Sequence, residues 1–277
     1  MSMWSWGGVQ RLCAIAAICA IQTDGAQTDE PLRFPTPEQQ AETFAPFREL
    51  LIQGRTAARF LREHKVILFT QVDKVTALPE GRFSIKSGSI ACAAPISADG
   101  YLLTVSHGIH DPVYALVMRD RRPHVIKTVT VWDGNETNGC DLAVLKIPWT
   151  FAAPCHWADD GDLQKATAVL SSGAYLVDAD ATTEHCREDH GAGRIAKSLS
   201  HISAAGGTPA FSLIESRLLV HPGDSGGPVM TLTGRLAGVT LGHVLDGSGV
   251  STGATIVIRP DLAWLDALVS SHRSRGR

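Results

Sequence analysis

Three short segments of this 277-residue chain hold residue types suited to nucleophilic chemistry. In Pro222-Gly223-Asp224-Ser225-Gly226-Gly227-Pro228 a serine stands among three glycines. Glycine tolerates backbone angles that other residues resist. Such a turn can aim the N–H groups of Gly223 and Ser225 at one point, where charge developing on a carbonyl oxygen would be stabilised. A hydroxyl is a weak nucleophile and needs a base that is itself oriented by a third group. His107 offers the base, at the end of the strand-like run Leu102-Leu103-Thr104-Val105-Ser106. Asp141 offers the third group, at the mouth of the apolar run Leu142-Ala143-Val144-Leu145-Lys146-Ile147. An aspartate there is expensive to bury unless it accepts hydrogen bonds.

The elements that must hold these residues are short. From residue 65 onward, β-like runs alternate with turn signals: 66–69, 87–94, 101–105, 113–118, 124–132, 142–147, 166–170, 211–214, 217–220, 228–232, 236–241 and 255–258. Asp99-Gly100 predicts a tight hairpin just ahead of the run that ends at His107. Many short strands without alternating helices predict an all-β barrel or sandwich. Pro260 as first helical residue predicts a helix over 260–271, with Leu262, Leu265, Leu268 and Val269 on one face and a frayed basic tail behind it.

Ahead of these runs, residues 12–21 form an apolar stretch too short to span a bilayer as a helix but suited to an export leader. Residues 1–26 are therefore read as a signal peptide. Residues 27–64 are read as a linker and helical extension, with Thr36, Pro37 and Gln39 in the pattern of a capped helix start. Residues 65–277 are the catalytic-type domain. Export implies a secreted or periplasmic location, with no stable membrane span once the leader is removed. Four cysteines then remain, and the sequence-local choice pairs Cys92 with Cys140 and Cys155 with Cys186. The pairs Cys155-His156 and His185-Cys186 are also possible zinc ligands, but disulfides suit an oxidising compartment better. No metal or other cofactor is expected. Lys plus Arg number 25 against 28 Asp plus Glu, a formal charge of −3 that gives no reason to bind nucleic acid.

Taken together, the three motifs resemble those of trypsin-like serine endopeptidases. They follow in the order His, Asp, Ser, with 34 residues from His107 to Asp141 and 84 from Asp141 to Ser225. The Asp-Leu-Ala-Val-Leu wording and the Asp-Gly hairpin are more similar to bacterial HtrA-like peptidases. The resemblance covers roughly residues 65–258 and implies two six-stranded antiparallel β-barrels of the chymotrypsin kind. It implies that Ser225 attacks, His107 shuttles the proton, Asp141 fixes the histidine, and the N–H groups of Gly223 and Ser225 hold the oxyanion. A protein or peptide is the substrate it implies. Leu219, Leu241, Gly242 and His243 are the expected substrate pocket, and Leu219 in place of an acid points to a small or medium apolar residue before the scissile bond.

The match has departures. No motif supplies the freed N-terminus that pairs, in many members, with the aspartate before the serine, so the partner of Asp224 is open. The chain ends about 50 residues after Ser225, short of the PDZ domains of HtrA-like members. Gly108 replaces the cysteine that follows the histidine in many vertebrate enzymes. The alternatives are a catalytically silent binding protein on a protease scaffold, and an esterase using the same serine.

Overall fold

A computed structural model of the chain describes residues 66–78, 83–119, 122–137, 140–176, 186–203, 209–218, 220–245 and 251–275, together with Gly54, Arg59 and Leu61. The expected leader, linker and helical extension lie outside the described residues except for those three positions, as does Leu219.

Fourteen strands are described, in two sheets. The first sheet holds β1 (Val66–Ala77), β2 (Phe83–Pro95), β3 (Tyr101–Thr104), β4 (Tyr114–Arg119), β5 (Arg122–Lys127), β6 (Val129–Asp133) and β7 (Ala143–Lys146), in the order β5-β4-β1-β2-β3-β7-β6. The second holds β8 (His156–Trp157), β9 (Ala168–Leu176), β10 (Cys186–Ile202), β11 (Phe211–Arg217), β12 (Pro228–Thr231), β13 (Arg235–Leu245) and β14 (Ser251–Pro260). Because β12 pairs with both β9 and β13, six of these strands close into a barrel, and β8 adds in parallel to β13. The first sheet curls into a half-barrel. The expected 124–132 run is split at Thr128 into β5 and β6, and Thr128 gives its N–H and hydroxyl to the carbonyl of Val113, next to β4. Of the expected 217–220 run, Arg217 closes β11, while Leu218 and Val220 lie outside any strand.

The barrel interiors are apolar. One cluster gathers Leu68, Ala91, Leu102, Val117 and Leu145 in the first sheet, and another Leu163, Val169, Ile214, Val229 and Val257 in the second. A third cluster joins the two, with Leu103, Leu142 and Val144 from one side meeting Leu170, Met230 and Ile258 from the other. Helix α1 (Gly134–Thr137) is a single turn; α2 (Leu262–Arg275) lays Leu265 and Val269 on the joining cluster. No helix among the described residues is long and apolar enough to cross a membrane.

Two sequence expectations change here. The cap of α2 is Asp261, whose carboxylate accepts the N–H of Trp264 at 2.7 Å, while Pro260 closes β14. The helix also runs to Arg275, because the basic tail is held. Arg273 makes a two-pronged bond to Asp99 (2.9 and 2.5 Å), and His272 Nδ1 lies 2.8 Å from the Tyr101 hydroxyl. The second change concerns cysteine. Cys92, Cys140 and Cys155 are buried thiols, not half-cystines, so the expected Cys92–Cys140 and Cys155–Cys186 pairings do not form. Cys92 packs with Phe69, Ile85 and Leu116, away from the joining cluster that holds Cys140 and Cys155. Burial pushes the Cys140 thiol up to about 12, with the Asp141 charge adding to it, and pushes Cys155 up as well.

Candidate active site

The antiparallel register of β3 and β7 explains why residues 34 apart in sequence meet. Thr104 lies opposite Ala143 at one end of the ladder. Running forward from Thr104 and backward from Ala143 leads off the same end, so His107 and Asp141 emerge side by side. His107 sits in the short 3-10 turn Ser106–Gly108. Ser106 anchors that turn by donating its hydroxyl to Asp133, while the N–H of Asn135 reaches both groups (3.2 and 3.0 Å).

Asp141, only 7% exposed, holds His107 twice. Its Oδ1 accepts the backbone N–H of His107 at 2.9 Å, and its Oδ2 lies 2.7 Å from Nδ1 of the ring. A carboxylate can only accept, so Nδ1 donates to it, and in the neutral ring Nε2 is the acceptor. That Nε2 is 3.0 Å from Ser225 Oγ.

The turn around Ser225 is fastened to both sheets and within itself. The carbonyl of Ser225 accepts the N–H of Cys92 on β2 at 2.8 Å, which ties the turn to the first sheet. Gly226 N–H donates to the Thr240 carbonyl (2.8 Å), and Thr240 N–H returns to Gly227 (2.9 Å), tying it to β13. Within the turn, the N–H groups of Asp224 and Gly227 reach the carbonyls of His221 and Asp224 (3.0 and 2.9 Å). Gly223 and Gly226 have φ of +104° and +78°, angles that strain any residue with a Cβ. A Cβ at Gly223 would also run into the Ala174 carbonyl, and one at Gly226 into Cys92 O and Thr104 Oγ1. Among the described residues, the N–H groups of Gly223 and Ser225 are the two in the turn that donate to nothing.

Of the expected pocket residues, β13 carries Leu241, Gly242 and His243 directly after Thr240, all half-buried. The His243 imidazole is held below its ordinary value, first by burial and then by the charge of a neighbouring ring, His221; its hydrogen bond to the Val220 carbonyl works the other way. Three contributors escaped the sequence reading. Cys92 acts through its main chain alone, Ser106 steadies the histidine turn, and His221 lies against Asp224, with its N–H donating to Oδ2 at 2.7 Å. Nothing in their residue types signals these parts, because register and turn geometry bring them in. Gly108 does have a reason: a Cβ there would come within 3.0 Å of the Ala91 methyl. The possible zinc pair Cys155-His156 diverges, with the thiol buried and the imidazole exposed.

Residues 87–239 match the family model described as a trypsin-like peptidase domain. A relative from Marinomonas sp. (strain MWYL1), named probable periplasmic serine endoprotease DegP-like, is 28% identical over 202 residues, covering 71% of this chain and 37% of that protein. Among solved structures, the HtrA-type protease AlgW with a tripeptide superposes with a TM-score of 0.56 at 22% identity, over 78% of this chain and 62% of that one. The Rv3671c protease in its inactive form gives 0.51 at 18% identity, over 76% and 89%. The chain thus spans little more than a third of the DegP-like relative. The structural likenesses show the fold, a double β-barrel of the chymotrypsin kind.

Proposed function

We infer from one premise, that the chain belongs to the trypsin-like peptidase family, that it is a serine endopeptidase working through an acyl-enzyme. The observation that carries this is the unbroken relay Asp141–His107–Ser225, with contacts of 2.7 and 3.0 Å. In the first step Ser225 Oγ attacks the scissile carbonyl carbon while His107 Nε2 takes the hydroxyl proton. Asp141 keeps the ring turned and stabilises the imidazolium that forms. The carbonyl oxygen, now negative, takes hydrogen bonds from the N–H groups of Gly223 and Ser225. One such donor is worth about 2.7–4 kcal/mol of barrier. The C–N bond then breaks, and the imidazolium gives its proton to the departing amine. A water molecule repeats the sequence on the ester, passing one proton to His107, and Ser225 recovers it.

The substrate is a protein or peptide. Leu241 on the wall beside Gly242 supports a small or medium apolar residue before the scissile bond. The apolar run 12–21 and the periplasmic name of the DegP-like relative support export to a periplasmic or extracellular space.

A fluorophosphonate probe tests the nucleophile. The expected result is one label per chain, lost in Ser225→Ala, together with casein turnover that exceeds nitrophenyl ester turnover. An unlabelled, properly folded protein would leave a silent binding scaffold instead, and ester turnover alone would make it an esterase. A peptide-library profile dominated by Arg or Lys would overturn the apolar preference.

A further inference from the structure

Asp224 stands one residue before the nucleophile and is 3% exposed. Its side chain fills the space over Gly173 of β9, where a Cβ would collide with the carboxylate. A carboxylate buried to that degree is stable only with hydrogen bonds and a nearby positive charge. Oδ2 accepts the backbone N–H of His221 at 2.7 Å, and the Nδ1 atom of the same histidine lies 4.0 Å from that oxygen.

We propose that His221 is a positioning residue: its imidazolium is the counter-charge of Asp224, and the pair fixes the Asp224–Ser225 peptide whose N–H is half of the oxyanion hole. This rests on the reading of Ser225 as nucleophile. The main chain already links His221 O to Asp224 N and Asp224 O to Gly227 N. The carboxylate adds the link that prevents the peptide between Asp224 and Ser225 from turning over. Among the described residues, Asp224 in its own turn and His243 on β13 are titratable groups facing the His221 ring. Two neighbouring imidazoles resist being charged together. His243 is held below its ordinary value, by burial first and by the His221 charge second. A proton on the His221 ring lies beside the carboxylate, with Nδ1 4.0 Å from Asp224 Oδ2.

The sign of the pH effect follows. A histidine stabilised as the cation contributes below its unfolded value of about 6.5, and that contribution is lost as pH rises through its higher folded value. His107 must be neutral to act as base, so activity rises with pH on the acid side. Loss of the His221 charge then brings it down on the alkaline side.

The decisive measurement is an NMR titration of the His221 ring in Ser225→Ala protein, which cannot digest itself. The ring is expected to titrate above the ordinary value of about 6.5, and at least about one pH unit lower when Asp224→Asn is added. In the active protein, His221→Asn is expected to reduce kcat about 10- to 100-fold with KM within about threefold, and to abolish the alkaline limb. His221→Lys, a fixed cation, is expected to recover part of that rate with no alkaline limb below about pH 9. A His221 ring that titrates below 6.5, or is indifferent to Asp224→Asn, overturns the proposal even if no turn variant folds. So does a His221→Asn profile that superimposes on the parent. Wild-type protein that neither labels with fluorophosphonate nor cleaves casein, while the two titrations remain coupled, would sink the peptidase reading and leave the pair standing.

Discussion

At the head of β3 a carboxylate meets a guanidinium in the open, and past its far end another carboxylate meets an imidazole under cover. Asp99 and Arg273 are 47% and 45% exposed, whereas Asp141 and His107 are 7% and 16% exposed. Both pairs have short contacts, 2.5 and 2.7 Å. Four fully buried residues, Tyr101 to Thr104, separate the hairpin from the residues that lead to the histidine turn. Distance alone would rank the two pairs as equals. Burial separates them: in water an ion pair gains little over its solvated halves, whereas under cover the loss of one partner strands the other.

The largest break comes at the covered end. Asp141→Asn keeps the size of the side chain but can offer an N–H where the ring needs an acceptor, which favours the wrong tautomer. The expected loss is about 10⁴-fold in kcat, or about 5.5 kcal/mol of barrier. KM should change little, and fluorophosphonate labelling should slow in parallel. A loss of less than about tenfold would mean that Asp141 does not orient His107.

A middle-sized effect is expected where β3 hands over to the nucleophile turn. Thr104, its last residue, lies against Gly226 and donates its hydroxyl to the Cys92 carbonyl at 2.7 Å. Gly226→Ala would place a methyl between Thr104 Oγ1 and Cys92 O at a φ of +78°. The backbone strain alone is about 1–3 kcal/mol. Urea unfolding should show a lower midpoint with an unchanged slope, and activity should fall further than stability because Ser225 is displaced. An Ala variant as stable as the parent would show that the turn can relax.

The covered end was also the more legible one in sequence. Serine among glycines, histidine after a strand and aspartate before one are local patterns; the β3–β7 register joins the last two, and bonds to β2 and β13 bring in the first. Strand β10 is not legible in the sequence because Cys-Arg-Glu-Asp-His-Gly-Ala-Gly-Arg shows no apolar alternation; its ladder with β9 makes it a strand. Strand β8 is two residues long and owes its place to a parallel neighbour, β13. The expected disulfides fail for a related reason. Cysteine spacing carries no information about which apolar cluster each thiol enters, and here Cys92 and Cys140 enter different ones. The basic tail looked frayed because its partner, Asp99, lies 174 residues away. Local chemistry is written locally, while partners across the fold are set by register and packing.

The open end should yield the smallest effect, and its pH dependence identifies its origin. Arg273 holds the Asp99 carboxyl well below the usual carboxylate range, chiefly through its hydrogen bonds, and Lys146 adds to it by charge. A carboxylate with a lowered folded value contributes stability above its unfolded value of about 3.9, and the contribution disappears as pH falls further. Arg273→Ala should therefore cost about 0.2–1 kcal/mol at pH 7, a melting shift of no more than about 4 °C. The gap between variant and parent should stay level down to about pH 4, narrow below it, and shrink at neutral pH in about 1 M salt, where screening acts over about 3 Å. Arg273→Lys keeps the charge but loses the two-pronged geometry, so it should fall between the two. Turnover should be unchanged in both, because the buried strand between Tyr101 and Thr104 is held by its own ladders to β2 and β7. A tenfold loss of kcat in Arg273→Ala, with stability intact, would instead mean that the hairpin and the histidine turn move as one body.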